Sequence, residues 1–204
     1  MSNAGGATSE DREHPSARLV PMSKDPFPVP TDRDMLPSER RQFVRTHRTC
    51  VFGYARRADG PALSIVYYVP AENDDLLVAT MGARAKAKAV ARNGKVNLCV
   101  LDETWPFAYL QVYCDAVIDD DSETLVDVMM AVAERMSGEA LAPELRPLVE
   151  AAGKDEGRVL LRCRPYSTFA TPPRHLHRND QQEKLTHWLS ASMAWDASDT
   201  PIEG

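Results

Sequence analysis

Six stretches rich in β-branched and aromatic residues, joined mostly by short turns, restrict the folds open to this chain more than any other feature. The stretches are TCVFGYA, ALSIVYYVP, LLVAT, KVNLCVL, FAYLQVYCDAVI and GRVLLRCRP. In the fourth, Val96, Leu98 and Val100 alternate with other residues, as in a strand that buries one face. Six strands with only a few helices between them predict a barrel or a sandwich rather than a wound parallel sheet. We therefore predict a mainly β fold with helices, of the α+β class.

Between residues 36 and 170, four helices are predicted from apolar periodicity and from residues that favour helix ends. The first lies in LPSERRQFVRTH, where Pro37 and Ser38 suit a helix start. The second is the alanine-rich basic segment ARAKAKAVAR, and the fourth is PELRPLVEAAG. In the third, SETLVDVMMAVAERMSG, Ser122 is the expected N-cap and Gly138 the expected end.

Composition divides the 204 residues into three parts. Residues 1–35 are polar and contain DPFPVP, so we expect a flexible arm that becomes extended. Residues 36–170 hold all six strands and are enough for one domain with a core of its own. Residues 171–204 mix Pro, His and charged residues, and we expect a C-terminal tail with one short helix at DQQEKLTHWLSASM.

The overall charge limits the partners of the chain. With 30 acidic and 24 basic residues the formal net charge is −6, and the pI is about 5.4. A broad nucleic-acid-binding surface needs the opposite sign, so we expect no nucleic acid partner. No apolar run reaches the roughly 18 residues of a membrane span, and the N-terminus lacks the apolar core of a signal peptide. We therefore expect no membrane partner and a cytoplasmic location.

The cysteine and histidine positions do not indicate a metal site. The four cysteines are widely spaced and lie in apolar stretches: Cys50, Cys99, Cys114 and Cys163. Zinc ligands cluster at short spacings and disulfides need an oxidising compartment, so we expect buried, reduced thiols. His175 and His177 lie two apart but have no Cys or acidic cluster beside them, and we expect them in an exposed tail.

The segment LLVATMGARAKAKAVARNGKV, residues 76–96, concentrates positive charge in an otherwise acidic chain. Alanine is the strongest helix former and a poor strand former, so ARAKAKAVAR is predicted to be helical. At about 100° per residue, Arg84, Lys88 and Arg92 fall on one side of this helix. The expected packing side comprises Ala83, Ala87, Val90 and Ala91. Lys86 stands apart from the other cations, in the first turn and at the edge of the packing side.

Two environments are open to Lys86. A lysine near an apolar face loses hydration unless another group replaces the water. An anion could do so, because the first helical turn offers free backbone N–H groups and the positive end of the helix dipole. Thr80 on the preceding strand would add a hydroxyl, and Gly82 would permit a close approach of the backbone. Alternatively, Lys86 extends past the small alanines into solvent. The Rossmann and P-loop fingerprints are both absent.

The order of these motifs resembles that of the pyridoxamine 5′-phosphate oxidase-like group, the flavin- and deazaflavin-binding split β-barrels. In that group a strand ends in Thr, and a Lys six residues later begins a short helix. A turn and a strand follow, and then a strand that opens with an aromatic residue and contains Gln-Val. Thr80, Lys86, Gln111 and Val112 occupy these places, within a resemblance that covers residues 36 to about 170.

The resemblance implies a six-stranded split β-barrel that forms a homodimer, with two sites for FMN or coenzyme F420 at the interface. It implies that the cofactor ring lies along the second strand and near the end of the third, and that the basic helix holds the phosphate. The residues so implicated are Ser64, Ile65, Val66, Tyr67, Ala79 and Thr80 for the ring, Arg84, Lys86 and Lys88 for the phosphate, and Gln111 for a hydrogen bond to the cofactor. Members of this group carry out hydride chemistry on the cofactor itself, so no dedicated catalytic acid–base pair is expected.

The chain departs from the pattern of the group at three positions. Ala85-Lys86 replaces the Arg-Lys pair of true pyridoxamine phosphate oxidases, Ser64 stands where many relatives carry Arg, and Cys114 replaces a usual Gly. These departures fit relatives that use F420 better than an oxidase of the vitamin.

Two hypotheses of function follow. The first is an oxidoreductase that uses F420 or FMN to transfer hydride to a small unsaturated substrate. The second is a non-catalytic protein of the same fold that binds a flavin or another phosphate-bearing ligand. A third possibility is that the basic helix only contacts acidic residues of the partner subunit.

Overall fold

The computed structural model describes residues 17–21, 27–30, 33–104, 107–170 and 191–200. These residues form four α-helices, one 3₁₀ turn and eight strands. In chain order the elements are α1 (Pro37–Thr46), β1 (Thr49–Tyr54), β2 (Ala62–Tyr67), β3 (Val69–Pro70), β4 (Leu76–Met81), α2 (Ala85–Asn93), β5 (Lys95–Asp102), β6 (Ala108–Asp119), α3 (Ser122–Ser137), the 3₁₀ turn (Pro143–Leu145), α4 (Arg146–Asp155), β7 (Arg158–Ala170) and β8 (Ala191–Ala194).

The eight strands form one antiparallel sheet that curls into a half-barrel, so the predicted α+β split β-barrel is confirmed. The strand order is β2-β1-β5-β6-β7-β4-β3, and β8 pairs with the C-terminal part of β7. Six of these strands are the predicted ones, and β3 and β8 are additional. β3 is the end of the second predicted strand, separated from β2 at Tyr68. The buried Tyr68 hydroxyl donates to the Val44 carbonyl oxygen at 2.6 Å.

The concave side of the sheet holds the main core. Val96, Leu98 and Val100 are buried as their alternation predicts. They belong to one cluster with Phe43 of α1 and Phe52 of β1, both fully buried.

Helix α3 covers the opposite side of β4 and β7. Leu77 and Leu160 pack there with Val128 of α3 in a second, smaller cluster. Their neighbours Leu76 and Leu161 belong to the main core. Because β4 is buried on both faces, the stretch LLVAT is continuously apolar rather than alternating.

A buried ion network joins β7 to β6 and to the start of β4. The Arg162 guanidinium donates to the Asp119 carboxylate and, from Nη1, to Asp75 Oδ2 at 3.2 Å. The side chains of Arg162, Asp119 and Asp75 are 5%, 2% and 3% exposed, so their opposite charges compensate one another away from water. This network ties strands that are distant in sequence.

The ends of α3 differ slightly from the prediction. Asp121 rather than Ser122 is the N-cap, since its Oδ1 accepts a hydrogen bond from the Thr124 backbone N–H at 2.9 Å. Gly138 ends the helix as predicted, with a left-handed φ of 78°. No helix among the described residues is both long enough and apolar enough to cross a membrane.

Segments outside residues 36–170 also contact the domain. Leu19 forms a bridge with Ala71, which covers part of the β3 edge. Trp195 is buried in the main core, and Asp199 accepts hydrogen bonds from the Ser38 backbone N–H at 2.9 Å and from the Ser38 hydroxyl at 2.5 Å. Most of the helix predicted near the C-terminus, residues 180–190, lies outside the described residues. Its last three positions, 191–193, belong to β8, so the prediction is wrong there because β7 offers an edge for pairing.

Candidate functional site

A cleft of about 400 Å³ opens between two strands near opposite margins of the sheet, β2 and β4. These strands do not pair, so the barrel is split here. The cleft is lined by Ile65, Val66 and Tyr67 of β2, by Ala79, Thr80 and Met81 of β4, by Arg84 and Lys86 at the start of α2, by Met129, Val132, Ala133 and Met136 of α3, and by Arg158 of β7. Apolar side chains form its walls, and cations gather where β4 meets α2.

The β2 side of the cleft is a strand edge. Among the described strands β2 pairs only with β1, from Thr49↔Tyr67 to Tyr54↔Ala62. The backbone N–H and C=O groups on its other edge therefore have no strand partner there. A ligand in the cleft could hydrogen-bond to this edge.

Lys86 lies at the cationic end of the cleft. Helix α2 begins at Ala85, because the alanine-rich segment favours a helix, and Lys86 is its second residue. Only 9% of the Lys86 surface is exposed, and no acidic side chain in the described part of the chain pairs with it. Burial lowers the pKa of its ammonium group, and the nearby Arg84 guanidinium lowers this pKa further. The surface lysines Lys95 and Lys154 each pair with a carboxylate, so Lys86 differs from them.

The start of α2 adds further positive potential beside Lys86. Arg84 is the N-cap, no side chain in the described part of the chain caps this helix, and its first turn contains no acidic residue. The backbone N–H groups of the first turn therefore remain available as donors. The exposed Arg84 side chain lies over Met81, with its Nε 3.5 Å from the sulfur atom. Together these groups form a site with the chemistry that binds phosphate.

Seven of the ten residues predicted for the site line this one cleft: Ile65, Val66, Tyr67, Ala79, Thr80, Arg84 and Lys86. Ser64 belongs to the same strand, but its hydroxyl is buried beside the cleft and has no hydrogen-bond partner in the described residues. Lys88 is exposed and does not line the cleft.

Gln111 lies elsewhere, on the convex face of the sheet. Its Oε1 accepts from Asn97 Nδ2 at 3.1 Å and from the Tyr113 hydroxyl at 3.3 Å. Registers Ile65↔Val51, Val51↔Cys99 and Cys99↔Gln111 place these four residues in one row on that face. Ile65, at the end of this row, is 78% exposed. Within one chain, Gln111 and Lys86 therefore do not face a common cavity.

The packing side of α2 differs from the prediction in two places. Ala87 and Val90 are buried as expected, but Ala83 and Ala91 are exposed, and Ala89 is buried instead. Ala83 precedes the first helical residue, so its side chain does not follow the helical period. Lys86 and Ala89, three residues apart, share the buried side.

Gly82 has a packing role at the junction of β4 and α2. Its backbone N–H donates to the Gly157 carbonyl oxygen at 2.9 Å. A Cβ atom at this position would lie 3.2 Å from Val159 Cγ1, so a larger residue would push the junction away from β7. The close approach of the backbone that Gly82 permits is therefore an approach to β7.

Two parts of the cleft were not predicted. Arg158 adds a third cation from the start of β7, and Met129, Val132 and Met136 of α3 form an apolar wall. Methionine-rich walls adapt to ligands of different shapes. The spacing of these methionines predicts a helix face, but the sequence does not show that this face lies beside β2.

Two larger clefts fit a specific ligand less well. One of about 1060 Å³ lies between residues 17–21 and α3, and its lining mixes acidic and basic side chains, among them the paired Arg146 and Asp127. Another of about 770 Å³ lies near His47, whose Nε2 is 3.6 Å from Asp102 Oδ2. The first also contains a buried cation, Arg135, but this guanidinium already donates to the Tyr68 carbonyl oxygen, whereas Lys86 in the smaller cleft has neither a hydrogen bond nor an acidic partner among the described residues. No group of three or more His, Cys, Asp or Glu residues in the described ranges is arranged to hold a metal ion.

The family model described as pyridoxamine 5′-phosphate oxidase matches residues 36–169, which is about two thirds of the chain. No curated protein is significantly similar to the chain in sequence.

Solved structures of several other proteins share the fold. The conserved hypothetical protein Rv2991 from Mycobacterium tuberculosis has a TM-score of 0.61 and 23% identity, over 74% of this chain and 96% of its own. Atu2129 from Agrobacterium tumefaciens, of unknown function, has a TM-score of 0.52 and 11% identity, over 67% of this chain and 56% of its own. A heme binding protein from Mycobacterium smegmatis has a TM-score of 0.50 and 11% identity, over 80% of this chain and 59% of its own. At such identities these likenesses concern the fold alone.

Proposed function

Because the chain belongs to the pyridoxamine 5′-phosphate oxidase family, we propose that it is an oxidoreductase that binds FMN or coenzyme F420 in the cleft between β2 and β4. The proposal includes a homodimer with two such sites and hydride transfer to a small unsaturated substrate.

The observation that carries this proposal is a buried lysine without a counter-ion at a helix start. Lys86 is nine-tenths covered and has no acidic partner in the described part of the chain. An uncompensated charge in such a place costs free energy, which a bound anion would recover. The free N–H groups of the first turn of α2 and the Arg84 side chain supply further donors to the same anion.

The rest of the cleft suits the ring of such a cofactor. Its volume of about 400 Å³ is within the range of small-molecule sites. The unpaired edge of β2 from Ile65 to Tyr67 would orient polar atoms of a ring, and Val66, Ala79 and Val132 would contact its apolar surface. The buried Ser64 hydroxyl without a partner lies on the same strand.

The side chains of the cleft serve binding rather than proton transfer. Among the described residues that line it there is no His, Cys, Asp or Glu. A flavin or deazaflavin supplies the hydride chemistry itself when bound. The expected contributions of the chain are therefore to hold the phosphate, to orient the ring along β2 and to exclude water with the α3 wall.

A homodimer is supported by the apolar convex face of the sheet. Leu63, Ile65, Leu101 and Phe107 are exposed by 69%, 78%, 45% and 54%. Apolar side chains gathered on one face are typical of surfaces that another protein covers. A second copy on this face would also bring Gln111 of one subunit toward the other subunit.

Binding without catalysis is the second candidate function. The lack of His, Cys, Asp and Glu among the described residues that line the cleft is compatible with a protein that only holds its ligand. The heme binding protein from Mycobacterium smegmatis shares this fold. Reduction of the bound cofactor, followed by a test of hydride transfer to conjugated acceptors, separates the two candidates.

A fluorescence titration with FMN and, separately, with F420 tests cofactor binding. We expect saturable binding of at least one cofactor at one site per subunit. Lys86→Glu should abolish binding and leave the dimer intact, whereas Lys154→Glu, on an exposed lysine of α4, should bind normally. Failure of the wild-type protein to bind either cofactor would overturn the proposal. Loss of the dimer in Lys86→Glu with unchanged ligand binding would overturn the phosphate role of Lys86.

A further inference from the structure

We propose that Arg158 binds the ligand together with Lys86 and Arg84, and that it holds a second negative charge of the ligand. This inference rests on the proposed cofactor site. It adds a residue that lies far from α2 in the sequence, and it limits the ligand to one with at least two negative charges close together.

Strand pairing brings Arg158 to the cleft. β4 and β7 are antiparallel, with Met81 opposite Arg158 and Thr80 opposite Val159. Directly opposed residues in a sheet present their side chains on the same face. Arg158 therefore lies beside Met81, which is also the residue that Arg84 covers, and all three line the cleft. The cations of the cleft therefore come from two separate parts of the chain, the start of α2 and the start of β7.

The contacts of Arg158 hold its side chain without using all of its donors. Its Nε donates to Glu156 Oε2 at 2.6 Å, and its side chain is 31% exposed. In the described part of the chain this is its one hydrogen bond, so the two terminal amino groups remain as donors. A guanidinium fixed at Nε in this way can present its outer edge to an anion.

The charge balance of the cleft favours a ligand with two negative charges. Arg84, Lys86 and Arg158 line it, and the acidic side chain that offsets one of them, Glu156, contacts Arg158 alone. A monoanion beside Lys86 would leave Arg84 and Lys86 only partly compensated. Burial and the Arg84 charge already lower the pKa of Lys86, which is the sign of this repulsion. A second negative charge near Arg158 would relieve it.

A phosphate monoester meets this requirement, because it carries up to two negative charges and three acceptor oxygens. A phosphodiester followed by a carboxylate, as in the side chain of F420, would meet it in a different way. The two sources can be distinguished, since only the monoester changes its charge near neutral pH, with a second pKa of about 6.

The test measures FMN affinity at pH 5 and at pH 8 in the wild-type protein and in Arg158→Gln. We expect the variant to bind FMN about tenfold more weakly at pH 8, where FMN is a dianion, and nearly as well as wild type at pH 5. Riboflavin, which has no phosphate, should bind both proteins equally. Arg158→Lys, which keeps the charge, should recover most of the difference and guards against a folding defect. Arg57→Gln, on an exposed arginine between β1 and β2, is the matched control and should behave as wild type.

Three results would overturn the role of Arg158. They are an equal loss of FMN affinity at both pH values, an equal loss of riboflavin affinity, or no loss at all. If FMN does not bind but F420 does, the same variants are titrated with F420, and an unchanged affinity in Arg158→Gln would overturn the inference. Failure of the wild-type protein to bind either cofactor would instead overturn the proposed function, so the two failures are distinct.

Discussion

Replacing Lys86 with methionine should make the free protein more stable and the ligand-bound protein less stable than wild type. Methionine keeps the length and apolar stem of lysine but removes the charge of a residue that is nine-tenths covered and has no acidic partner among the described residues. Removing a poorly compensated buried charge should stabilise the free protein by about 1 kcal/mol. For a chain of this size, that is a rise in Tm of about 2–4 °C.

The same substitution should weaken ligand binding. Loss of a charged hydrogen bond to phosphate costs about 2 kcal/mol, which is roughly a 30-fold increase in Kd. At a ligand concentration of about 100 times the wild-type Kd, binding stabilises wild type by about 2.7 kcal/mol and the variant by about 0.9 kcal/mol. When the gain of about 1 kcal/mol in the free variant is included, the ligand-bound variant is about 1.9 kcal/mol more stable than free wild type. With ligand present, wild type should therefore unfold at the higher temperature, by about 2–3 °C.

Thermal unfolding of wild type and Lys86→Met, each with and without the cofactor that binds, gives the four Tm values. The reasoning predicts a reversal of order between the free and the bound proteins. Lys88→Met, two residues further along and on the exposed side of α2, is the control and should leave both the stability of the free protein and ligand binding as in wild type. A Lys86→Met protein that is less stable than wild type when free would show that Lys86 makes favourable contacts within the chain. The buried-charge argument would then be refuted, and with it the main support for the anion site.

Two further perturbations test the ion network and the convex face. Arg162→Met should cost about 3–5 kcal/mol, because it removes the buried cation that Asp75 and Asp119 share, and Asp75 keeps the largely exposed Arg164 guanidinium at 3.7 Å. A decrease of less than 1 kcal/mol in the free energy of unfolding, measured in urea, would contradict this. Leu63→Asp should weaken a dimer formed through the convex face at least about 100-fold, since a twofold interface contains the substitution twice. Light scattering after size exclusion measures the mass. Leu148→Asp, on an α4 residue that is 67% exposed, is the control, and a Leu63→Asp protein with the mass of wild type would exclude this face as the interface.

Local features could be predicted from the sequence where one element determines them. The helix α2 follows from its alanines, and the helical period places Lys86 at the edge of the packing side, although it leaves open whether the side chain turns inward or into solvent. The residues of α2 interact within one or two turns, so the helical period is enough to predict the helix and this position. The exposure of Ala83 was not predicted, because the exact first residue of a helix depends on the junction with the preceding strand.

Features that depend on strand pairing could not be predicted in this way. Arg158 follows a glycine at the start of an apolar run, which predicts a strand but not its neighbour. Only the β4–β7 register sets it beside Met81 and the start of α2. The position of α3 has the same origin. Its methionines suggest packing, whereas their place in the cleft depends on β4 being buried on both sides.

The position of Gln111 leads to a prediction about which subunit completes each site. Gln111 lies on the convex face, where Asn97 and Tyr113 hold its side-chain oxygen, so it does not share the cleft of its own Lys86. If Gln111 contacts the cofactor, it must therefore reach the cleft of the other subunit. Gln111→Ala and Lys86→Met should then each impair binding in pure dimers. Subunits of the two variants, unfolded together and refolded at equal amounts, should recover about a quarter of the wild-type sites, because half of the dimers are mixed and each mixed dimer has one intact site. If Gln111 acts in its own subunit, every site in the mixture lacks one residue, and no high-affinity sites should appear in the titration.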